Sequence, residues 1–246
     1  MNLILLRHGE SQWNLENRFT GWKDVSLTAN GKEEAVYSGH EIFNNYPIIN
    51  SVHTSLLKRA TQTTDIVIDI INFPKKNIQN NWRLNERHYG ALQGLNKSET
   101  AKKYGEDQVH IWRRSYDIPP PLLDESDDRH PKFNKKFKKI KGDLPIGESL
   151  KNVIDRLEPF WMEYSSYLKT IKGNHIIIAH SNSLRAIIKI LDQLSDKEIV
   201  SVNIPTGVPL VYELDENLSV ITKKYLINKK ELKAKQKMIA NQGKVK

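Results

Sequence analysis

The chain has 246 residues, 38% of them hydrophobic, a formal net charge of +9 and no cysteine. That length carries one large α/β domain or two small ones around a buried core, and the missing thiol excludes disulfides, thiolate catalysis and cysteine-ligated metal centres. No run approaches the ~18 apolar residues of a membrane span, and residues 3–6 are too short for a secretory signal, so a cytoplasmic protein is expected.

The excess charge sits at one end. Between residues 223 and 246 nine lysines face only Glu231, which leaves the body of the chain close to neutral. A broad footprint for a nucleic-acid backbone is therefore not expected, and residues 229–246 read as a mobile basic tail. The tail offers only Tyr225 for base stacking and no sustained apolar face, so neither nucleic acid nor membrane is expected as a partner.

Leu3-Ile4-Leu5-Leu6 is a short apolar run ending in Arg7-His8-Gly9-Glu10-Ser11. Such a run, bounded by turn chemistry, reads as a strand buried on both faces of a parallel sheet. Ligands of open α/β sheets bind beyond the carboxyl ends of strands, so Arg7 and His8 are expected at the mouth of a cleft. Gly9 permits a sharp turn and close approach. Ser11 to Asn14 and Arg18-Phe19-Thr20-Gly21-Trp22 form a loop whose hydroxyl, amide and backbone donors can surround an anion.

Thr28 is the expected N-cap of a helix with Ala35, Gly39, Ile42 and Phe43 on its packing face. Residues 48–54 read as the second strand. Ser55 then opens a helix with Leu56, Ala60, Thr63, Val67 and Ile71 along one face. Arg59 falls in its first turn, where a cation is disfavoured unless an anion lies between it and the exposed N–H groups. Arg59 is thus either a phosphate ligand or a surface arginine.

Residues 84–94 form a polar loop in which Glu86 can carry a proton and Tyr89 can donate; alone, the loop reads equally well as a solvated connection. A helix over 98–112 leads to Arg113-Arg114, which add fixed positive charge together with Lys97. Five prolines and runs of acids and lysines mark 115–145 as an irregular insertion. Gly147 resumes a helix whose core stripe is Val153, Ile154, Leu157, Phe160 and Trp161, and which Pro159 is expected to kink.

His175-Ile176-Ile177-Ile178-Ala179 is the second buried-looking strand. It ends in His180-Ser181-Asn182-Ser183, and a helix with Leu184, Ile187, Ile188 and Leu191 follows. The opening pattern repeats here: strand, histidine, small-residue turn, helix. Two such strands at one sheet edge would set their imidazoles across a single cleft. From this strand alone, a core histidine satisfied by a carbonyl is the stronger reading. Residues 210–214 and 220–225 read as a terminal hairpin.

Two strand-end histidines, several arginines, a lysine and one loop carboxylate suit a small, highly charged anion and transfer of a phosphoryl group. Neither an HExxH pair nor a GxxxxGK[ST] loop is present, so arginine and histidine are expected to meet the charge without a metal. One imidazole would act as nucleophile through a phosphohistidine, its proton affinity lowered by neighbouring arginines. The second, protonated, would stabilise the equatorial oxygens.

The blocks Leu6-Arg7-His8-Gly9-Glu10-Ser11-x-x-Asn14, Phe19-Thr20-Gly21-Trp22, Leu57-Lys58-Arg59-Ala60, Glu86-Arg87-His88-Tyr89-Gly90-Ala91-Leu92-Gln93-Gly94, Trp112-Arg113-Arg114 and Asn203-Ile204-Pro205-Thr206-Gly207-Val208-Pro209 stand along the chain, with Ala240-Asn241-Gln242-Gly243-Lys244 near its end. Together they resemble the cofactor-dependent phosphoglycerate mutases of the histidine phosphatase superfamily over nearly the whole length. The resemblance implies an α/β three-layer sandwich with a mixed, mostly parallel sheet flanked by helices. It implies one domain over residues 1–228, with the insertion at 115–145, in a homodimer or homotetramer. The implied activity is metal-free interconversion of 3-phosphoglycerate and 2-phosphoglycerate, in glycolysis and gluconeogenesis, primed by 2,3-bisphosphoglycerate.

Carried onto these motifs, the resemblance makes His8 the phosphorylated nucleophile, Glu86 the proton donor and acceptor, and His180 the transition-state stabiliser. Arg7, Arg59, Asn14, Ser181 and Asn182 would surround the transferring phosphoryl. Thr20, Gly21, Tyr89, Lys97, Arg113 and Arg114 would hold the carboxylate and second phosphate, and Gly9, Glu10, Ser11, Arg87 and His88 complete the implied binding set. The terminal segment would fold over the loaded site and exclude water. A phosphomonoesterase or a bisphosphoglycerate synthase/phosphatase on the same scaffold is the nearest alternative. Ser181 replaces the family's usual glycine; were positive φ required there, it would cost about 1 kcal/mol of strain, with activity retained.

Overall fold

Successive side chains of a strand point to opposite faces, and in β1 (Asn2–Arg7) both sets are apolar and buried. Leu3 and Leu5 join one core cluster, Ile4 and Leu6 the other. In β4 (Asn174–Ala179) Ile177 and Ala179 divide in the same way from Ile176 and Ile178. The two strands are thus sandwiched between two helical layers, which is why their sequences run apolar without alternation.

The computed structural model describes residues 1–241; Gln242, Gly243 and Lys244 of the terminal block lie outside them. After β1 come α1 (Gln12–Leu15), α2 (Ala29–Asn45), β2 (Ser51–Thr54), α3 (Lys58–Ile70) and β3 (Gln79–Asn80). They are followed by α4 (Lys97–Tyr104), α5 (Glu106–Arg114), α6 (Leu150–Thr170), β4, α7 (Ser181–Leu191) and α8 (Glu198–Ser201). The hairpin β5 (Leu210–Leu214) and β6 (Val220–Tyr225) and the helix α9 (Lys229–Ala240) complete the order.

One six-stranded sheet has the order β3-β2-β4-β1-β5-β6. β3, β2, β4 and β1 are parallel, and β5 and β6 extend the sheet antiparallel. Residues of α6 and α7 pack with the first cluster, and residues of α2 and α3 with the second. This is the mixed, mostly parallel three-layer architecture that the sequence leads one to expect.

Several local details differ from the sequence pattern. Strand β2 begins only at Ser51, and Ile48 is left 73% exposed. Phe43 is on the outer side of α2, 40% exposed, whereas Ala35, Gly39 and Ile42 pack inward. Ser55 precedes α3 rather than opening it, and α3 starts without a side-chain cap. The helical stretch around 98–112 is broken at Gly105, whose φ of +89° belongs to glycine. Helix α6 continues through Pro159, carried by its buried face of Val153, Leu157, Phe160, Tyr164 and Leu168.

Residues 115–145 contain short 3₁₀ turns at 131–133 and 135–137 and no longer helix or strand. They are anchored by Phe137, buried against Trp22 at 4.8 Å between ring centres. The lysine-rich segment carries a helix, α9, capped by the Asn228 side chain. Ser181 is the first residue of α7 and is not among the residues with positive φ. The strain that serine would suffer in a left-handed conformation does not arise.

Candidate active site

Register decides where the two histidines lie. Arg7 of β1 pairs with Ala179 of β4, and the next residue on each strand is a histidine. The His8 backbone N–H donates to the Ala179 carbonyl at 3.0 Å, which holds the diverging chains together. The two rings sit with centroids 4.9 Å apart at 60°. Both are buried, His8 to 2% exposure and His180 to 0%.

Beyond His8 the chain turns so tightly that a Cβ on Gly9 would lie 2.0 Å from the Gly31 carbonyl oxygen, a contact only glycine avoids. The Gly9 N–H donates to Thr63 Oγ1 of α3. The Gly9 carbonyl lies 2.7 Å from His8 Nδ1. A carbonyl only accepts, so the His8 proton resides on Nδ1. Its Nε2 lone pair accepts from Arg59 Nε at 3.1 Å. Burial, then Arg59 and Arg7, hold the His8 pKa well below the ordinary imidazole value. A neutral ring with an available lone pair is what a nucleophilic histidine requires.

His180 is held differently. Its Nε2 lies 2.7 Å from Ser55 Oγ, and its Nδ1 is buried without a partner. Burial first, then Arg59, His8 and Arg7, push its pKa well down. In the free protein burial and the surrounding guanidinium groups favour the neutral ring, whereas the residue inventory led one to expect a protonated one during transfer.

Around this pair the lining is cationic. Arg7, Arg18, Arg59, Lys97, Arg113, Arg114 and Arg185 border one cavity, and Glu86 is the carboxylate among its described lining residues. Burial brings Arg59 and Arg114 down to about 10 and Arg185 to about 9, still charged at neutral pH. Lys97 is pushed well below the usual amine value by burial and then by Arg113. Concentrating like charge out of water is unfavourable unless an anion occupies the space.

Arg7, Arg18, Arg59, Arg114 and Arg185 are fixed by backbone or side-chain acceptors. Arg59 donates to the Gly21 and Lys23 carbonyls, Arg7 to the Ile204 carbonyl, and Arg114 to the Val202 carbonyl and Asn203 Oδ1. Arg7 Nε and Arg185 Nε are buried without protein partners. Glu86 Oε1 accepts from the backbone N–H of Arg87 and from both the backbone N–H and Nδ2 of Asn182, at 2.8, 3.1 and 3.0 Å. Asn182 lies in the first turn of α7, so the carboxylate faces the positive end of that helix.

Of the residues singled out from the sequence, Arg7, His8, Asn14, Thr20, Arg59, Glu86, Tyr89, Lys97, Arg113, Arg114, Ser181 and Asn182 line this cavity. His180 lies against His8. The others stand behind the lining. Glu10 accepts from Thr28 Oγ1, Ser11 caps α1, and Gly21 offers its carbonyl to Arg59. Arg87 is fully buried over the Tyr89 ring. His88 is buried beside Trp22, its Nδ1 accepting from the Gly90 N–H.

Three further residues line the cavity: Arg18, Arg185 and Ile239. Arg18 sits in the donor-rich loop that the sequence marks. Arg185 is one helical turn beyond Ser181 and reaches back to Asn182 Oδ1 at 2.9 Å and to the Ile199 carbonyl at 2.7 Å. Ile239 arrives on α9, which is tied to the body by an ion pair of Lys235 with Glu34 and by Gln236 donating to the Asn203 carbonyl.

Two neutral, buried imidazoles at adjacent parallel strand ends, with guanidinium groups converging on them, define a phosphoryl-handling histidine enzyme. The family model of the histidine phosphatase superfamily (branch 1) matches residues 3–126. A 2,3-bisphosphoglycerate-dependent phosphoglycerate mutase of Borreliella afzelii is 49% identical over 245 residues, covering 99% of this chain and 98% of that protein. The chain belongs to the phosphoglycerate mutase family within that superfamily.

Solved structures share the fold at lower identity. A mycobacterial glucosyl-3-phosphoglycerate phosphatase in complex with VO3 superposes with a TM-score of 0.70 at 19% identity, covering 92% of this chain and 98% of that one. The alpha-ribazole phosphatase of Shigella flexneri gives 0.66 at 20% identity, covering 90% and 95%.

Proposed function

We propose that this chain interconverts 3-phosphoglycerate and 2-phosphoglycerate through a phosphohistidine on His8, the glycolytic and gluconeogenic reaction. The observation that carries this reading is the Nε2 lone pair of a neutral His8, presented to a cavity with several fixed cations and Glu86. In that role His8 Nε2 takes up a phosphoryl group, and Arg59 and Arg7 neutralise its oxygens. Glu86 accepts the proton of the attacking substrate hydroxyl and returns it to the oxygen that leaves on the reverse step. His180 meets the charge that develops between them.

The residues present fit a doubly phosphorylated primer: buried Arg7 Nε, Arg185 Nε and His180 Nδ1 lack protein partners, and the lining is strongly positive. When bound, 2,3-bisphosphoglycerate supplies the phosphoryl group that charges His8. Arg7, Arg59, Asn14, Ser181 and Asn182 would hold the reacting end. Thr20, Gly21, Tyr89, Lys97, Arg113 and Arg114 would hold the carboxylate and the second phosphate, with Gly9, Glu10, Ser11, Arg87 and His88 supporting that shell. The same cationic chemistry supports a reaction without a metal. A cytoplasmic homodimer or homotetramer acting on small phosphoglycerates, not on nucleic acid or membranes, completes the proposal.

Transfer of the same phosphoryl group to water would make the protein a phosphatase. Ile239 of α9 lines the cavity, which supports the mutase reading, because a helix there would limit the access of water to the phosphohistidine. The decisive assay incubates the protein with 3-phosphoglycerate and EDTA, with and without catalytic 2,3-bisphosphoglycerate. Formation of 2-phosphoglycerate that survives chelation and depends on the primer is expected; hydrolysis alone would overturn the reading. Deleting residues 229–246 is expected to raise hydrolysis relative to mutase turnover, measured as the ratio of inorganic phosphate to 2-phosphoglycerate.

A further inference from the structure

Ser55 is the residue after β2, outside α3, and fully buried. Its hydroxyl oxygen accepts from the Leu57 N–H at 3.2 Å and lies 2.7 Å from His180 Nε2. Among the described residues it has no further hydrogen-bond partner. The hydroxyl proton therefore has one destination, the Nε2 lone pair. Were the ring to donate from Nε2 instead, the buried serine proton would have no protein acceptor, an arrangement folded proteins avoid. The other ring nitrogen, Nδ1, is buried and makes no hydrogen bond, although the Ser183 backbone N–H at the start of α7 is turned toward the ring.

We propose that Ser55 is the positioning residue of the second histidine: its hydroxyl donates to Nε2, fixes the ring proton on Nδ1, and makes His180 a neutral N–H donor to the transferring phosphoryl group. This rests on the reading of the site given above. In each transfer the bond from phosphorus to His8 Nε2 breaks and one to a substrate oxygen forms, while the proton of that oxygen passes to Glu86. His8 recovers its lone pair and keeps its Nδ1 proton on the Gly9 carbonyl. His180 donates a hydrogen bond throughout and neither gains nor loses a proton. Low proton affinity beside the guanidinium groups then assists the donor, because its task needs no charge on the ring.

The test has two parts. In wild-type protein, 15N NMR with His180 assigned by comparison with His180→Asn should show a protonated Nδ1 and a bare Nε2; a proton on Nε2 would overturn the proposal. In kinetics, Ser55→Ala should lower kcat roughly 10- to 100-fold with KM within about twofold, as loss of an orienting partner does. Ser55→Thr, which keeps the hydroxyl, should recover most of that loss. Retention of kcat within about twofold in Ser55→Ala, or a folded Ser55→Thr as impaired as the alanine variant, would refute it. Because the NMR measurement uses free wild-type protein, it stands even where the protein folds poorly without the hydroxyl. Failure of wild-type His8 to take phosphate from 2,3-bisphosphoglycerate would instead refute the proposed function.

Discussion

The carboxyl ends of β1 and β4 carry one sequence pattern and two different chemical groups. At each, a buried strand ends in a histidine, and the two strands are paired in register. What differs is the atom that holds each ring. The Gly9 carbonyl takes Nδ1 of His8 and leaves a lone pair facing Arg59, whereas the Ser55 hydroxyl takes Nε2 of His180 and leaves Nδ1 open. Residue type sets what an imidazole can do, and its neighbour decides which of those things it does.

The largest effect should come from removing the lone pair. His8→Asn is expected to abolish both mutase turnover and labelling of the protein by radioactive 2,3-bisphosphoglycerate, a loss of at least about 10⁴-fold. His180→Asn should separate the two strand ends: label still accumulates on His8, but kcat falls by about 10³-fold, the scale of lost electrostatic stabilisation. Equal loss of label in both variants would erase the distinction between them.

A smaller effect is expected from Arg185. It touches Asn182 Oδ1, which orients the Asn182 amide toward Glu86. Arg185→Met should lower kcat by about tenfold and slow the charging of His8 to a similar extent while leaving the final extent of label unchanged, since Glu86 serves both directions of transfer and the nucleophile is intact. Unchanged turnover would detach Arg185 from Glu86.

Much of this architecture is legible in the chain. The strands β1 and β4 announce themselves as apolar runs because both faces are covered, and the β5 and β6 hairpin is bounded by Asp215-Glu216-Asn217. Arg7, His8, Arg59 and His180 converge because each follows a strand end or a helix start that local pattern can place. Ser55 and Arg185 were not legible in this way. Ser55 reads as a helix opener, and its partner His180 follows a different strand; Arg185 is held by Asn182 of its own helix and by the Ile199 carbonyl, and its place at the cavity depends on tertiary packing that no local periodicity encodes. Helix α9 was hidden for another reason: its lysines mask an Asn228 cap and a Glu231 in the first turn. The break at Gly105 and the exposure of Phe43 show that spacing identifies a helix better than it identifies the buried side.

The smallest expected effect sharpens the comparison at its most conspicuous departure from the family. Ser181 follows His180 where the family resemblance led one to expect glycine, and the corresponding residue after His8 is a glycine packed against Gly31. The two positions look equivalent in sequence but differ in space: Gly9 has no room for a Cβ, whereas Ser181 occupies the first turn of α7 with no left-handed backbone. Glycine at 181 would relieve no strain and would add freedom to the unfolded chain, costing up to about 1 kcal/mol. Ser181→Gly should therefore leave kcat within about twofold and lower Tm slightly, as measured by steady-state kinetics and thermal melting. Gly9→Ala, by contrast, should displace the turn that fixes the His8 proton and lose most of the activity. A gain in turnover from Ser181→Gly would show that the backbone after His180 must adopt, during the reaction, a conformation that serine resists.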